Sequence, residues 1–144
     1  MKLATQWLAA LAIFVMATTA HASERVALVI GLGAYETIAP LDNTRNDARA
    51  MSDTLESIGF DVTLALDSTS QELFDLLDDF AFRSETADLA LIYYAGHGVE
   101  VQGENFLIPV DADVATNRDI QRQSVSLKQL LGAVERARKM RIVI

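Results

Sequence analysis

The sequence contains no cysteine in its 144 residues, and it is poor in basic residues. Without cysteine, these residues can form no disulfide framework and no thiolate metal site, and they supply no cysteine nucleophile. The 12 lysines and arginines stand against 20 aspartates and glutamates, which gives a formal charge of −8. Because proteins that bind nucleic acids need clustered positive charge to neutralise phosphates, this balance argues against a nucleic acid as partner.

Residues 1–22 have the composition of an export signal. Lys2 precedes an apolar run from Trp7 to Met16, and the segment closes with Ala20-His21-Ala22. The run is shorter than the roughly 20 residues that span a bilayer, so we interpret it as a cleaved signal peptide rather than a membrane anchor. We expect export to the periplasm or the extracellular space, and a single domain over residues 23–144 that has no membrane contact after cleavage.

Cleavage would also remove one of the two histidines of the chain, His21, and would leave His97 as the only imidazole. A metal site built from several histidines is then excluded, and we expect no bound metal.

The rest of the chain alternates between strand patterns and helix patterns. Continuous aliphatic runs at Arg25–Ile30 and Asp88–Tyr94 predict strands buried on both faces, and Phe60–Leu66 predicts another strand. A last strand is predicted at Met140–Ile144, and two alternating pieces around Gln102-Gly103 predict a hairpin.

Three helices are predicted from apolar residues that recur every three or four positions on one face. The first can be capped by Asn43 or Thr44, the second begins with the capping box of Thr69 and Glu72, and the last begins at Ser126 with Gln129. The apolar positions are Ala48, Met51, Leu55 and Ile58 in the first helix, Leu73, Leu76, Leu77 and Phe80 in the second, and Leu127, Leu130, Leu131, Val134 and Ala137 in the last.

The order β-α-β-α-β-hairpin-α-β predicts an α/β fold, a three-layer α/β/α sandwich with a mostly parallel sheet. In such sheets, functional residues collect in loops at the carboxyl ends of the strands. The first such loop, Gly31-Leu-Gly33, begins like a dinucleotide fingerprint but has Glu36 where the third glycine belongs. A carboxylate there would repel a pyrophosphate, so we favour a tight turn over a nucleotide site.

The loop after the strand at Asp88–Tyr94 carries a stronger candidate. His97 lies between Gly96 and Gly98, directly after a buried strand. A single histidine is most often a structural residue, but the flanking glycines leave this ring without support from local packing. The residues alone leave both a structural and a catalytic role open.

A general base needs a nucleophile to activate, and the sequence offers no convincing one. Its serines near the predicted elements are better explained as helix caps or loop residues; they are Ser68, Ser70, Ser124 and Ser126. In the predicted sheet, Met140–Ile144 lies beside the strand that precedes His97. We therefore expect the residue that follows Ile144 to face His97.

Four stretches carry a resemblance to a known family. They are Arg25–Gly31, Leu41–Ala48, Gly59–Val62, and Leu91–Gly98 followed by Gly103–Asp111. Together they resemble the caspase and metacaspase clan of cysteine peptidases, specifically the large-subunit region of exported bacterial caspase-like proteins. The Tyr-Tyr-Ala-Gly-His-Gly motif, in its strand and loop context, is the most specific of them. The resemblance implies a caspase-like sheet, a peptide or protein substrate and no cofactor, with a calcium requirement left open.

The resemblance also implies roles for individual residues. His97 matches the family's histidine, which assists the cysteine thiol and protonates the leaving amine. Gly98 resembles the glycine whose N–H contributes to the oxyanion hole. Asp47 matches the acidic residue that lines the S1 pocket of metacaspases and binds a P1 Arg or Lys, although it is equally explained as a carboxylate that favours a helix N-terminus. Arg45 does not match the arginines with which caspases bind a P1 Asp, so a basic P1 residue is expected.

In the family, the strand that corresponds to Met140–Ile144 is followed by an Asp-x-Cys segment, which these 144 residues do not contain. We therefore expect this chain alone to be inactive, as the truncated large-subunit part of a cysteine endopeptidase that cleaves after Arg or Lys. The alternative is a non-catalytic caspase-like module, a pseudopeptidase that binds a peptide or a partner protein.

Overall fold

The computed structural model describes residues 24–144, so the predicted leader lies outside the described part of the chain. The strands are β1 (Arg25–Gly31), β2 (Asp61–Leu66), β3 (Leu89–Ala95), β4 (Gly98–Val101), β5 (Glu104–Leu107), β6 (Val125–Ser126) and β7 (Met140–Val143). The helices are α1 (Thr44–Ser57), α2 (Ser70–Ser84), α3 (Asn117–Gln123) and α4 (Leu127–Val134). None of these helices is long and apolar enough to cross a membrane.

The main sheet has four parallel strands in the order β2-β1-β3-β7. The predicted position of the last strand beside the strand that precedes His97 is thereby confirmed. A smaller antiparallel sheet, β4-β5-β6, contains the predicted hairpin. The hairpin turns at Gln102 and Gly103, whose φ angles of 55° and 83° suit a two-residue turn of this kind.

Two hydrophobic cores lie on opposite faces of the main sheet, because successive residues of a strand point to opposite faces. Val26, Leu28 and Ile30 of β1 join the core formed with α2 and α4. Ala27 and Val29 join the core formed with α1. All five residues are at most 2% exposed, which explains the uninterrupted apolar run of β1. The predicted three-layer α/β/α sandwich is therefore confirmed.

Two residues of the predicted apolar stripes are exposed instead. Ile58 is 54% exposed because α1 ends at Ser57 and Gly59 turns the chain with a φ of 89°. Leu131 is 48% exposed, since a helix rotates by about 100° from one residue to the next and the preceding Leu130 faces the core.

The two predicted capping boxes, at Thr69 and at Ser126, are present. Asn43 occupies the N-cap position of α1, but its side chain forms no cap hydrogen bond. The sequence patterns did not predict α3 and β6, because elements of seven and two residues are too short to show a period.

The loop that follows β1 passes very close to the backbone before α1. A Cβ atom at Gly33 would lie 2.5 Å from the Leu41 carbonyl oxygen and 2.8 Å from the Thr44 hydroxyl oxygen. Gly33 is required by this close approach of two chain segments, so its presence is explained by packing and does not indicate a nucleotide site.

Asp67 fastens this loop to the end of β2. Its carboxylate accepts hydrogen bonds from the backbone N–H groups of Gly33 at 2.8 Å and Ala34 at 2.9 Å. The same carboxylate pairs with the Arg45 guanidinium at 3.2 Å. Burial by itself would raise the pKa of Asp67, but the hydrogen bonds from Ala34 and Gly33 and the charge of Arg45 outweigh it and hold the pKa below its ordinary value.

We predict that Asp67→Asn destabilises the chain by about 1–2 kcal/mol near neutral pH, because charge-assisted hydrogen bonds and one ion pair are lost. Asparagine tolerates the left-handed backbone of this position, where φ is 50°, so the substitution tests the charge. Because the folded-state pKa of Asp67 is lowered, its contribution is complete above the ordinary pKa and disappears as the pH falls through the folded-state value.

Urea unfolding of both proteins at about pH 7 and about pH 3 checks this, and the difference between them should shrink at the acidic pH. Asp78→Asn, at an exposed position of α2, is the matched control and should leave stability unchanged at both values. A difference that stays constant with pH would contradict the assigned role of the carboxylate.

Candidate active site

His97 lies at the carboxyl edge of the main sheet, between the end of β3 and the start of β4. Its neighbours Gly96 and Gly98 carry no side chains, so the position of the imidazole depends on groups from elsewhere in the chain. The side chain is half-buried, which leaves part of the ring accessible.

The imidazole is held from the β1–α1 loop. Nε2 of His97 lies 2.8 Å from the Ala39 carbonyl oxygen. A carbonyl oxygen only accepts hydrogen bonds, so Nε2 carries a proton in this arrangement and donates it to Ala39. In the neutral ring, Nδ1 is then the nitrogen that can accept a proton from a nucleophile.

Two tyrosines hold the backbone of the same residue. The His97 N–H donates to the Tyr35 hydroxyl at 2.7 Å, and the Tyr94 hydroxyl donates to the His97 carbonyl oxygen at 2.7 Å. The Ile108 N–H donates to that carbonyl as well, at 3.0 Å. The Tyr35 ring also packs against the imidazole, with centroids 4.7 Å apart and planes tilted by 56°.

Both tyrosines are neutral phenols over the physiological pH range. Burial raises the pKa of Tyr35, against the smaller lowering effects of its hydrogen bonds with His97 and Tyr94. Burial, followed by the neighbouring Tyr35, raises the pKa of Tyr94. The His97 backbone is therefore held by uncharged partners.

Gly96 leaves room for the two hydroxyl groups. A Cβ atom at this position would lie 2.5 Å from the Tyr94 hydroxyl oxygen and 2.7 Å from the Tyr35 hydroxyl oxygen. Such distances do not occur in folded proteins, so a side chain here would displace the groups that hold His97. Gly98 has no such constraint, because its nearest neighbour would be the Phe106 carbonyl oxygen at 3.6 Å.

The N–H of Gly98 points away from the hairpin. Gly98 pairs with Leu107, and the Ile108 N–H bonds to the His97 carbonyl just beside that pair. In an antiparallel ladder this pattern defines a non-hydrogen-bonded pair, whose N–H groups face outwards. Because β4 is an edge strand, the Gly98 N–H lies on the free side of the small sheet and is oriented to bind an acceptor.

Asp47 lies in the first turn of α1, the helix that begins after the β1–α1 loop. Its side chain is exposed, and within residues 24–144 no hydrogen bond or ion pair joins its carboxylate to another group, His97 and Gly98 included. Its backbone N–H donates to the Asn43 carbonyl. The position suits both interpretations of this residue, a carboxylate at a helix N-terminus and an acidic group at the carboxyl edge of the sheet.

A cavity of about 380 Å³ borders the glycines that flank His97. Its walls come from the hairpin, α4 and the end of β7, and include Tyr94, Phe106, Leu130 and Val143. Val143 of β7 pairs with Ile92 of β3. If this register continued, the residue beside His97 would be the fourth one after Ile144. It would not be the residue directly after Ile144, contrary to the prediction from the sequence. Val143 and Ile144, at the end of the chain, thus line the same cavity as Gly96 and Gly98.

Several of these groups were not predicted from the sequence. Ala39 acts through its backbone carbonyl, which no residue pattern reveals, and Tyr35 acts through a contact between residues 62 positions apart. Tyr94 belongs to the motif that marked His97, so the motif contained the signal although not the role.

We predict that Gly96→Ala destabilises the chain by about 1–3 kcal/mol, because the added methyl group overlaps both tyrosine hydroxyls. Gly98→Ala is the matched control on the other side of the histidine and should cost less than about 1 kcal/mol, since its methyl group meets ordinary van der Waals contact. Denaturant unfolding of both variants measures the difference. Equal destabilisation by the two substitutions would contradict the packing described for Gly96.

Comparison with protein families gives one match over most of the chain. The family model described as "Caspase domain" matches residues 24–143. Among curated proteins, human mucosa-associated lymphoid tissue lymphoma translocation protein 1 and its mouse homolog are each 35% identical to this chain over 91 residues. These matches cover 63% of this chain and 11% of each relative, so the chain spans a small part of their length.

Two solved structures show the same fold. A protein from Geobacter sulfurreducens has a TM-score of 0.64 at 18% identity, over 83% of this chain and 48% of that protein. The Drosophila initiator caspase Dronc has a TM-score of 0.64 at 12% identity, over 82% of this chain and 46% of that one. The family model spans nearly all of the described residues. The chain belongs to the caspase-domain family.

Proposed function

We propose that this chain is the histidine-bearing part of a cysteine endopeptidase that cleaves after Arg or Lys. Caspase-type domains are proteases that act on protein substrates and need no cofactor. The observation that supports a catalytic His97 is the hydrogen bond between its Nε2 and the Ala39 carbonyl oxygen, which leaves Nδ1 as the basic nitrogen. Export to the periplasm or the extracellular space belongs to the same proposal and rests on the sequence of the leader.

In the proposed reaction, Nδ1 of His97 takes the proton of a cysteine thiol, and the thiolate attacks the carbonyl carbon of the scissile bond. The outward N–H of Gly98 donates to the oxyanion that forms. The imidazolium then returns its proton to the leaving amine, and water hydrolyses the remaining thioester. Residues 1–144 contain no cysteine, so the thiol belongs to an Asp-x-Cys segment proposed to follow β7.

Two charged groups support a basic P1 residue. The Asp47 carboxylate is exposed and has no cationic partner within residues 24–144, so it is available to an Arg or Lys side chain. The nearby Arg45 is engaged by Asp67 at 3.2 Å, so its charge is already compensated and does not favour an acidic P1 residue.

The second candidate is a caspase-like module without catalysis that binds a peptide or a partner protein. Both candidates expect the 144-residue chain to hydrolyse nothing. Reading the gene beyond codon 144 separates them, because only the peptidase requires an in-frame Asp-x-Cys within about five residues. A stop codon, or Gly or Ser at the cysteine position, would favour the binding module.

For the protein continued through such a segment, we predict hydrolysis of peptides with Arg or Lys at P1 and none of peptides with Asp at P1. His97→Ala should lower kcat/KM at least about 100-fold, since general acid-base catalysis is lost. Asp47→Asn should raise KM for an Arg-P1 peptide about tenfold or more with a smaller change in kcat.

Asp53→Asn, an exposed carboxylate on the same helix, controls for a general effect of negative charge and should leave KM unchanged. Undiminished turnover by the His97→Ala variant would refute the assigned base. A KM that is insensitive to Asp47→Asn would remove this residue from the S1 pocket and leave it as a helix N-terminal carboxylate.

A further inference from the structure

The backbone of His97 has an unusual set of partners. It lies between two glycines and outside the hydrogen-bond ladder of the main sheet, yet both its polar groups are bound. Its N–H donates to the Tyr35 hydroxyl and its carbonyl accepts from the Tyr94 hydroxyl, each at 2.7 Å. The carbonyl oxygen also accepts a hydrogen bond from the Ile108 N–H at 3.0 Å, so a side chain replaces a strand partner at the N–H and supplements a backbone bond at the carbonyl.

The two tyrosines come from different elements. Tyr94 is in β3, three residues before His97, whereas Tyr35 is in the β1–α1 loop and 62 residues away in sequence. Tyr35 is only 8% exposed and contacts His97 twice, through its hydroxyl and through its ring face. It thus restrains the backbone and the ring together.

The same loop holds the other end of the imidazole. Ala39, four residues after Tyr35, accepts the hydrogen bond from Nε2 at 2.8 Å. A shift of the His97 backbone by a few tenths of an ångström would lengthen this bond, because Ala39 belongs to a separate segment.

We infer that Tyr35 and Tyr94 are positioning residues, which clamp the backbone of His97 so that its ring stays bonded to Ala39 with Nδ1 exposed to a nucleophile. The catalytic purpose of this arrangement rests on the proposed function, whereas the positioning of the ring by the two tyrosines does not. The phenols touch no substrate and exchange no proton in the reaction. They act through the two polar groups of the His97 backbone, and Gly96 is required because its missing side chain leaves space for both hydroxyls.

The test compares Tyr35→Phe and Tyr94→Phe with the unmodified 144-residue chain by NMR spectroscopy. Each substitution removes one hydroxyl and keeps the ring, so it creates no large cavity. Tyr93→Phe is the matched control, since Tyr93 lies in the same strand, packs in the core on the other face, and has no hydroxyl partner among residues 24–144. His97→Gln identifies the His97 signals.

Two readouts are needed, because a loss of stability alone would not show positioning. The hydrogen exchange of the His97 amide should become about tenfold faster in Tyr35→Phe, where a partly buried N–H loses its acceptor. The 15N shifts of the imidazole, measured in buffer that keeps the ring neutral, should move from the Nε2–H tautomer toward the Nδ1–H tautomer in both Phe variants. Tyr93→Phe should change neither quantity.

Unchanged imidazole shifts in Tyr35→Phe or Tyr94→Phe would overturn the proposal. If a variant does not fold, hydrogen exchange of the unmodified chain tests the proposal instead. The His97 amide should then exchange as slowly as the amides within β3. Exchange as fast as that of the turn residue Gly103 would overturn the proposal. These readouts need no nucleophile or substrate. A failed peptidase assay would therefore refute the proposed function without altering the result on the tyrosines.

Discussion

The parallel pairing of β1 with β3 is the constraint on which the candidate site depends. The pairing continues to Gly31 and Ala95, and Leu32 extends it by donating its N–H to the Ala95 carbonyl at 2.8 Å. Because the two strands end together, the loops that follow them leave the sheet side by side. Tyr35 and Ala39 therefore meet an imidazole that is about 60 residues away in sequence, although neither loop has regular structure of its own. A change of register between these strands would separate the ring from both partners at once.

The arrangement of the strands was predictable because burial on two faces leaves a strong pattern. A strand that contributes to both cores must be apolar at every position, and β1 shows this from Val26 to Ile30. Helix faces were predicted less accurately at their margins. Ile58 and Leu131 fit an apolar spacing, yet one follows the end of its helix and the other lies beside the buried face. Spacing alone does not determine where a helix ends or how wide its buried face is.

The candidate site was predictable only where a side chain marks it. His97 was singled out because its type, its flanking glycines and its place after a buried strand are all visible in the sequence. Ala39 could not be found, since a backbone carbonyl is common to every residue and its selection depends on the path of a loop. The hydrogen bonds of the Asp67 carboxylate could not be predicted for a related reason. Their donors are the backbone N–H groups of Gly33 and Ala34, which do not depend on the type of side chain. Both contacts follow from tertiary structure.

These contacts form one connected series that reaches from the outer strand of the sheet to the imidazole. Asp67, at the end of β2, holds the N–H groups of Gly33 and Ala34, and the next residue along the chain is Tyr35. The only charged group in the series is thus the one farthest from the ring, where Arg45 compensates it. Close to His97 the partners are phenols and carbonyl groups, which fix orientation without placing a formal charge beside the imidazole. The groups that orient the ring are therefore separate from the ion pair that fastens the loop, so a change at Asp67 would reach the imidazole only through the position of Tyr35.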